Sequence, residues 1–386
     1  MTTTRSAVRE QAGLFLTGGF VLCGSLRDVY FSRTFQRWSP LDVAALTFTI
    51  STLVFMAVAL LRDRHGLLAL ARWPREIVAI NATSAIAWIS FFYALQSLEP
   101  SLVQVIWAGS GPLTIRTLER AGVLLVAPIR LGPLERWSLA ALGLVVALAG
   151  VVAVRGLSAT DSGSAAFGVG LALLSGAAIS INLLLCKGLH ERGVSPVPLL
   201  SVRFIGVVVA ALTLAPFVGS GPSLWQSAAL PNVAAAAVLL IVLPLYLNQR
   251  GVALASPMTV RVVHAAGPVL VFALQLADGR FSASPWSLAV IIAYSGTATL
   301  SAIARQWQVT DDRRRERLTA GGDLGAVASA GGKRLTLLLP DLITRAMQAQ
   351  DGGRAERHLE LDLRRLDRLP ARGAVRAAPA SRPDLP

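Results

Sequence analysis

Long apolar runs, separated by short clusters of charged residues, fill the first 305 positions of the chain. A helix needs roughly 20 apolar residues to cross a hydrocarbon core about 30 Å thick, and only a helix or a closed barrel satisfies its own backbone there. Ten runs reach this length. They predict an all-α membrane protein with ten transmembrane helices, near residues 12–30, 41–61, 77–97, 100–118, 137–155, 165–187, 196–219, 231–249, 253–276 and 285–305.

Composition excludes a soluble globular protein. The 386 residues are 54% apolar and 15% charged, with a mean hydropathy of +0.59, whereas soluble domains have about 45–50% apolar and about 25% charged residues. The two cysteines, Cys23 and Cys186, both lie in apolar runs. They provide neither a disulfide framework nor a metal cluster, so we expect no metal site and no cofactor.

The basic residues indicate the orientation. If the N-terminus is cytoplasmic, the inside loops before the C-terminal tail carry thirteen Arg and Lys residues and the outside loops carry four. This asymmetry follows the positive-inside rule and places both termini in the cytoplasm. The net charge of +14 then reflects topology, and we expect no nucleic-acid partner. The basic tail, residues 306–386, lacks sustained periodicity and is predicted to be disordered.

The chain also contains an internal repeat. Three short motifs recur in order at corresponding positions: Ser39-Pro40 as Ser195-Pro196, Gly111-Pro112 as Gly267-Pro268, and Trp137-Ser138-Leu139-Ala140 as Trp286-Ser287-Leu288-Ala289. Each unit holds five spans, an odd number, so the second copy must enter the membrane upside down relative to the first. The pattern predicts two inverted five-helix repeats, residues 11–155 and 165–305, an architecture found in many secondary transporters.

These features together resemble the drug/metabolite transporter superfamily, in particular its EamA-type exporters. The resemblance covers residues 11–305 and rests on the two five-span copies, the run from Ser195 to Phe204, Tyr93-Ala94-Leu95, the Gly-Pro pairs and Glu135-Arg136 before Trp137. It implies alternating-access movement of a small metabolite or drug across a bacterial plasma (inner) membrane, usually outward. Small multidrug relatives use a carboxylate in the first helix for proton coupling, but this sequence predicts no Asp or Glu in the deep part of any span.

Three charged or titratable side chains within predicted spans are candidates for a solute pathway, because such groups are costly in a bilayer. Arg261 and His264 are three residues apart on one helix face and could present a cationic donor pair to a carboxylate or phosphate. Arg203 lies in the seventh span. The alternative is that both arginines snorkel to headgroups and that His264 bonds a neighbouring helix.

Polar and aromatic side chains of three other spans could line the same pathway: Trp88 and Tyr93 in the third, Gln104 and Trp107 in the fourth, and Gln249 in the eighth. Aromatic residues at the bilayer edge ordinarily form an interfacial belt, which is the alternative for Tyr93. Trp88 and Trp107 are predicted to lie deeper and could stack on a solute.

The Gly-Pro pairs, Gly111-Pro112 and Gly267-Pro268, predict interrupted helices in the fourth and ninth spans. Proline lacks an N–H, so each frees the carbonyl four residues before it. Interruptions at matching places in both halves indicate a binding site between the halves. A simple kink that only shapes helix packing is the alternative.

The sequence as a whole predicts a secondary transporter, an exporter of a small organic solute, and not an enzyme. Arg261 and His264 favour an anionic or zwitterionic solute such as an amino acid. The alternatives are a membrane sensor that signals through the tail and an intramembrane enzyme acting on a lipid, which would need a nucleophile, metal set or acid–base pair near His264. Besides the solute and the lipid bilayer, a second copy of the chain is an open possibility as a partner.

Overall fold

The computed structural model describes residues 2–121, 133–155, 162–218, 224–255, 257–279, 284–304 and 307. The side chains described within these ranges exclude those of residues 2–9, 162, 249, 252, 253, 257, 258 and 261. Met1–Val309 form one compact unit. The tail that the sequence predicts to be disordered, residues 306–386, lies outside the described residues apart from Trp307.

The regular structure of the described residues is helical. The helices are α1 (Thr2–Thr34), α2 (Pro40–Arg62), α3 (Arg64–Ala69), α4 (Pro74–Ser97), α5 (Pro100–Arg120), α6 (Pro133–Arg155), α7 (Ser162–Glu191), α8 (Pro196–Arg203), α9 (Ile205–Val218), α10 (Leu230–Ala237), α11 (Leu243–Leu254), α12 (Pro257–Ala265), α13 (Gly267–Asp278) and α14 (Pro285–Ala304). Many begin with proline, whose fixed φ suits the first helical position and whose missing N–H costs nothing there.

Among the described residues, eight helical segments are long and apolar enough to cross a bilayer, which gives the chain the character of a multi-pass membrane protein. They are Glu10–Thr34, Pro40–Arg62, Pro74–Ser97, Pro133–Arg155, Gly163–Glu191, Pro196–Val218, Leu230–Asn248 and Pro285–Ala304. The other two predicted spans correspond to α5 and to α12 with α13. Polar residues such as Gln104 and Ser110 lower the hydropathy of α5, and α12–α13 contains only a shorter apolar segment, Val262–Asp278.

The helices pack in pairs that join the early and late parts of the chain. α4 lies along α7, α1 along α11, and α2 along both α8 and α9. α5 contacts α7 and α13, and α1 also contacts α12 and α13. The core contains fully buried aromatic rings of α1, α2, α4 and the α8–α9 junction: Phe31, Phe48, Phe92 and Phe204.

Three consecutive spans of the second half have irregular backbone. α8 ends at Arg203 and α9 begins at Ile205. α12 ends at Ala265 and α13 begins at Gly267. Between α10 and α11, Val238–Val242 form a π-helical turn. In the earlier part of the chain, α2, α4 and α5 are continuous.

Side chains from other helices satisfy backbone groups beside two of these interruptions. Asn81 Oδ1 of α4 accepts a hydrogen bond from the Gly206 N–H at 2.6 Å. The Ser295 hydroxyl donates to the carbonyl of Ala265 at 2.8 Å, and the Ser25 hydroxyl donates to that of Gly267 at 3.4 Å. Irregular backbone at membrane depth requires such partners.

The two Gly-Pro pairs behave differently. Pro268 lies in the first turn of α13, directly after an interruption. Pro112 lies inside α5, which continues to Arg120, so the interruption predicted there is absent. Proline removes one helical hydrogen bond, and α5 tolerates this loss while the hydroxyls of Ser110 and Thr114 bond the carbonyls of Trp107 and Ser110, each at 2.9 Å.

Candidate functional site

One face of α4 organises the charged interior. Ser84, Trp88 and Phe91 are spaced four and three residues apart, which places them on the same side of a helix. All three are buried. Two arginines from other helices, Arg27 and Arg203, approach this face within about one helical turn of each other.

Arg27 of α1 forms a buried ion pair with its neighbour Asp28. Its Nη2 lies 2.7 Å from Asp28 Oδ1, and its Nε donates to the same oxygen at 2.8 Å. Arg27 is 7% exposed and Asp28 is 0% exposed. Gln104 Nε2 of α5 donates to the other carboxylate oxygen, Oδ2. The carboxylate therefore has charged or polar donors on both oxygens, as a buried carboxylate requires.

Aromatic rings surround the Arg27 guanidinium. Its carbon lies 5.2 Å from the Trp88 ring centroid and 5.4 Å from that of Phe91. Distances below about 6 Å bring a cation within reach of the ring quadrupole. The Trp107 ring lies 5.6 Å from Phe91 and extends the aromatic wall towards α5.

Arg203, at the end of α8, occupies a different environment. It is 6% exposed, and its Nε contacts Ser84 Oγ at 3.4 Å. Asn182 of α7 bonds the same hydroxyl at 2.9 Å. Among the described residues no carboxylate lies within ion-pair distance of Arg203. One buried arginine of this site is therefore neutralised within the fold, and the other is not.

Three aromatic rings connect the two arginines. The ring centroids of Trp88 and Phe48 are 4.9 Å apart, and those of Phe48 and Phe204 are 5.0 Å apart. The Arg203 guanidinium lies 5.4 Å from the Phe204 ring. The site thus has one guanidinium group at each end, Arg27 paired with Asp28 and Arg203 unpaired among the described residues, with apolar rings between them, halfway along α4.

A buried polar network closes the bundle beyond the C-terminus of α4. The Glu99 carboxylate accepts hydrogen bonds from Ser101 Oγ at 2.7 Å, from Ser287 Oγ at 2.9 Å and from Gln275 Nε2. Gln275 Oε1 accepts from the Ser101 N–H at 3.2 Å. Because Gln275 and Ser287 belong to α13 and α14, this network joins the two halves.

Polar contacts also join the earlier and later parts of the chain near the N-terminus of α4. Arg192 Nη1 pairs with Glu76 at 2.9 Å on the surface. The Ser195 hydroxyl donates to Asp63, which also accepts from the Gly66 N–H at 2.9 Å. These hydrogen bonds hold the pKa of the Asp63 carboxyl below its ordinary value. The site lies between these two sets of contacts along α4.

The structure brings three of the residues singled out in the sequence, Trp88, Gln104 and Arg203, to this site. Trp107 borders it, and Tyr93 is half-buried against the aromatic core. The side chains of Arg261 and Gln249 lie outside the described residues, so the cationic pair expected from Arg261 and His264 stays a prediction.

His264 lies in α12, away from the face of α4. Its ring stands 5.1 Å from that of Phe20, and its buried Nε2 has no hydrogen-bond partner among the described residues. Gly267 is the first residue of α13. Gly111 allows α7 to approach α5 closely, because a Cβ there would lie 2.7 Å from Ser180 Oγ.

Sequence reasoning missed Arg27 and Asp28. The first span was placed at residues 12–30, but α1 continues to Thr34, so Asp28 lies roughly 9 Å inside the helix end. The expectation that no carboxylate lies deep in a span is therefore wrong for Asp28. Two adjacent, opposite charges inside an otherwise apolar run were the signal that could have identified this pair.

A groove lies elsewhere, between α6 and α7. It has a volume of about 640 Å³, and its lining is apolar except for Arg155. Within the described part of the chain, no group of three or more His, Cys, Asp or Glu residues could hold a metal ion.

Comparison with known proteins supports the fold alone. No family model and no curated protein matches the chain. Eleven chains of solved structures match. One of them, described as "Crystal structure of protein", superposes with a TM-score of 0.52 and 21% identity, over 77% of this chain and 98% of that chain. The helical arrangement is therefore one that also occurs in a solved protein.

Proposed function

We propose that the protein is a secondary carrier, related to the drug/metabolite transporters, that moves a small organic solute by alternating access. The observation that carries this proposal is the buried site on α4, where two arginines and a carboxylate lie inside a bundle of membrane-spanning helices. Charged groups at this depth are costly in lipid and are retained at solute and ion pathways.

The helix pairing supports two inverted repeats of five spans. Counting α8–α9, α10–α11 and α12–α13 as one span each and leaving out the short α3 gives ten. The contact of the third span with the sixth then corresponds to that of the eighth with the first. In the same way, the fourth span (α5) contacts the sixth (α7), and the ninth (α12–α13) contacts the first (α1). The contact of the second span with the seventh, and that of the fourth with the ninth, each join two equivalent spans of the proposed repeats. A two-fold relation between halves produces this pattern.

The contacts on both sides of the site support alternating access. Glu99 joins the halves on one side of the site, and Asp63 and Glu76 join them on the other. Opening one set of contacts while the other holds would expose the site to one side of the membrane at a time. We propose that the Asp63 side faces the cytoplasm of a bacterial cell, because the distribution of basic loops favours this orientation, and the resemblance favours outward transport.

The test is counterflow by the purified protein in liposomes. A panel of labelled organic anions, amino acids, nucleosides and organic cations is offered to vesicles preloaded with the unlabelled compound. We expect saturable counterflow of at least one compound, absent from protein-free vesicles. A variant lacking residues 306–386 should transport equally well, whereas a sensor that signals through its tail would show no flux with or without it. Absence of flux for the whole panel would contradict the proposal.

A further inference from the structure

We infer that the carried solute is an organic monoanion and that its carboxylate binds the guanidinium of Arg203. This inference rests on the proposed carrier function and names the solute class for the same site. Three features of the site support it: the isolation of the Arg203 charge, the neutrality of the neighbouring Arg27–Asp28 pair, and the helix interruption beside Arg203.

The positive charge of Arg203 is buried, and no counterion accompanies it in the part of the chain that the structure describes. The side chain is only 6% exposed, so it does not reach the headgroups as a snorkelling arginine does. Its polar surroundings are neutral: Ser84 Oγ at 3.4 Å, and beyond it Asn182, whose amide bonds Ser84 and Thr83. The terminal guanidinium nitrogens have no acceptor among the described residues.

A guanidinium in this position is suited to a carboxylate. Its planar set of N–H donors matches the two carboxylate oxygens, and charge-assisted bonds of this kind are the strongest available to the site. The Phe204 ring at 5.4 Å covers one side of the group, and Phe48 and Trp88 continue the apolar surface. A carboxylate with an apolar, flat body fits this combination.

The nearby ion pair sets the charge of the solute at minus one. Asp28 is already paired with Arg27 and Gln104, so no free carboxylate remains there for an ammonium group. A zwitterionic amino acid would leave its ammonium without a partner. A dianion would neutralise Arg203 and leave one further negative charge in the interior. A monoanion leaves the site neutral.

The interruption of the seventh span lies beside this group. α8 ends at Arg203, and α9 begins two residues later, with its Gly206 N–H bonded to Asn81. Discontinuous helices are a recurrent place for solute contacts in carriers, because each part of the span moves separately. Tilting of α8 relative to α9 would open a path to the guanidinium.

The inference is tested with three probes of one shape and different charge: benzoate, benzamide and benzamidine. Binding to the purified protein in detergent is measured by calorimetry, and flux by counterflow of labelled benzoate in liposomes. We expect benzoate to bind and exchange, and neither the neutral nor the cationic probe to compete. Arg203→Gln should weaken benzoate binding roughly a hundredfold, and Arg203→Lys, which keeps the charge, should lose less.

Lys187→Gln is the control, because it also removes one positive charge, but from an exposed pair with Glu191 within α7, and it should bind benzoate like the wild type. The thermal unfolding of each variant is measured first, so that misfolding is recognised. Preference for benzamidine, failure of benzoate to bind, or undiminished binding by folded Arg203→Gln would overturn the inference. If one of these results is found together with counterflow of cations or nucleosides, the carrier function is supported and the monoanion site is rejected.

Discussion

Arg27 and Arg203 are the same residue type at the same face of α4, and both are more than nine-tenths buried. Arg27 has a carboxylate at 2.7 Å, an amide on the far side of that carboxylate and two aromatic rings. Arg203 has one weak contact to a hydroxyl and one ring. The fold therefore completes the environment of one arginine and leaves that of the other incomplete.

This difference separates a structural charge from a functional one. A buried ion pair contributes little net stability, but removing one partner is costly because the other charge is left alone. A buried charge without a partner already carries that cost in the folded protein. In the proposed carrier, the bound solute supplies the missing charge.

The largest effect is expected when Asp28 is neutralised. Asp28→Asn leaves Arg27 buried without a counterion, and the free energy of unfolding should fall by about 3–5 kcal/mol. Unfolding of the purified protein in mixed micelles measures this change. The double variant Arg27→Met, Asp28→Leu removes both charges and should unfold close to the wild type. If Asp28→Asn were as stable as the wild type, Asp28 would not be the counterion that Arg27 needs in the folded protein.

A smaller effect of opposite sign is expected at Arg203. Arg203→Met removes an uncompensated charge and keeps much of the side-chain volume, so the free energy of unfolding should stay constant or rise by about 1 kcal/mol. The same unfolding measurement, made without any solute, checks this. A loss as large as that of Asp28→Asn would mean that Arg203 has a partner within the fold, and the distinction between the two arginines would fail.

The smallest effect concerns Asp63, a partly exposed carboxylate near the surface, in contrast to the buried Asp28. Its pKa in the folded protein is lowered by hydrogen bonds from Ser195 and Gly66, so the folded state binds fewer protons than the unfolded state. The stabilisation is complete above the unfolded value of about 3.9 and is lost as the pH falls through the folded value. The difference in melting temperature between wild type and Ser195→Ala should therefore be constant from pH 7 to 5 and shrink below about pH 4. A difference that already shrinks above pH 5 would contradict this assignment.

Much of the fold was accessible to sequence reasoning. Apolar runs of the right length identified the eight helical segments that suit a bilayer, because helix length and hydropathy are local properties. Trp88, Gln104 and Arg203 attracted attention because each is a polar or aromatic group inside such a run, and all three lie at the α4 site. The helix pairs, such as α4 with α7, follow from packing between distant residues, which no local pattern specifies.

The parts that sequence reasoning missed depend on tertiary contacts. The residue at which α8 and α9 are interrupted, Phe204, is neither glycine nor proline, so the sequence does not predict the position of this interruption. Asn81 of α4 accepts a hydrogen bond from the Gly206 N–H there. Pro112 was expected to interrupt a helix, and α5 accommodates it. The pair Arg27–Asp28 is absent from the sequence predictions, because the ion pair becomes significant only when both side chains are buried among other helices.

The bond between Asn81 and Gly206 has a consequence for how the chain is made. An N–H without a partner costs several kcal/mol in lipid, and the acceptor for this one lies in a helix that leaves the ribosome more than a hundred residues earlier. Synthesis proceeds from the N-terminus, so the first half is in the membrane before the interrupted helices arrive. The first half therefore supplies, before α9 is made, the side chain that accepts the hydrogen bond of the Gly206 N–H.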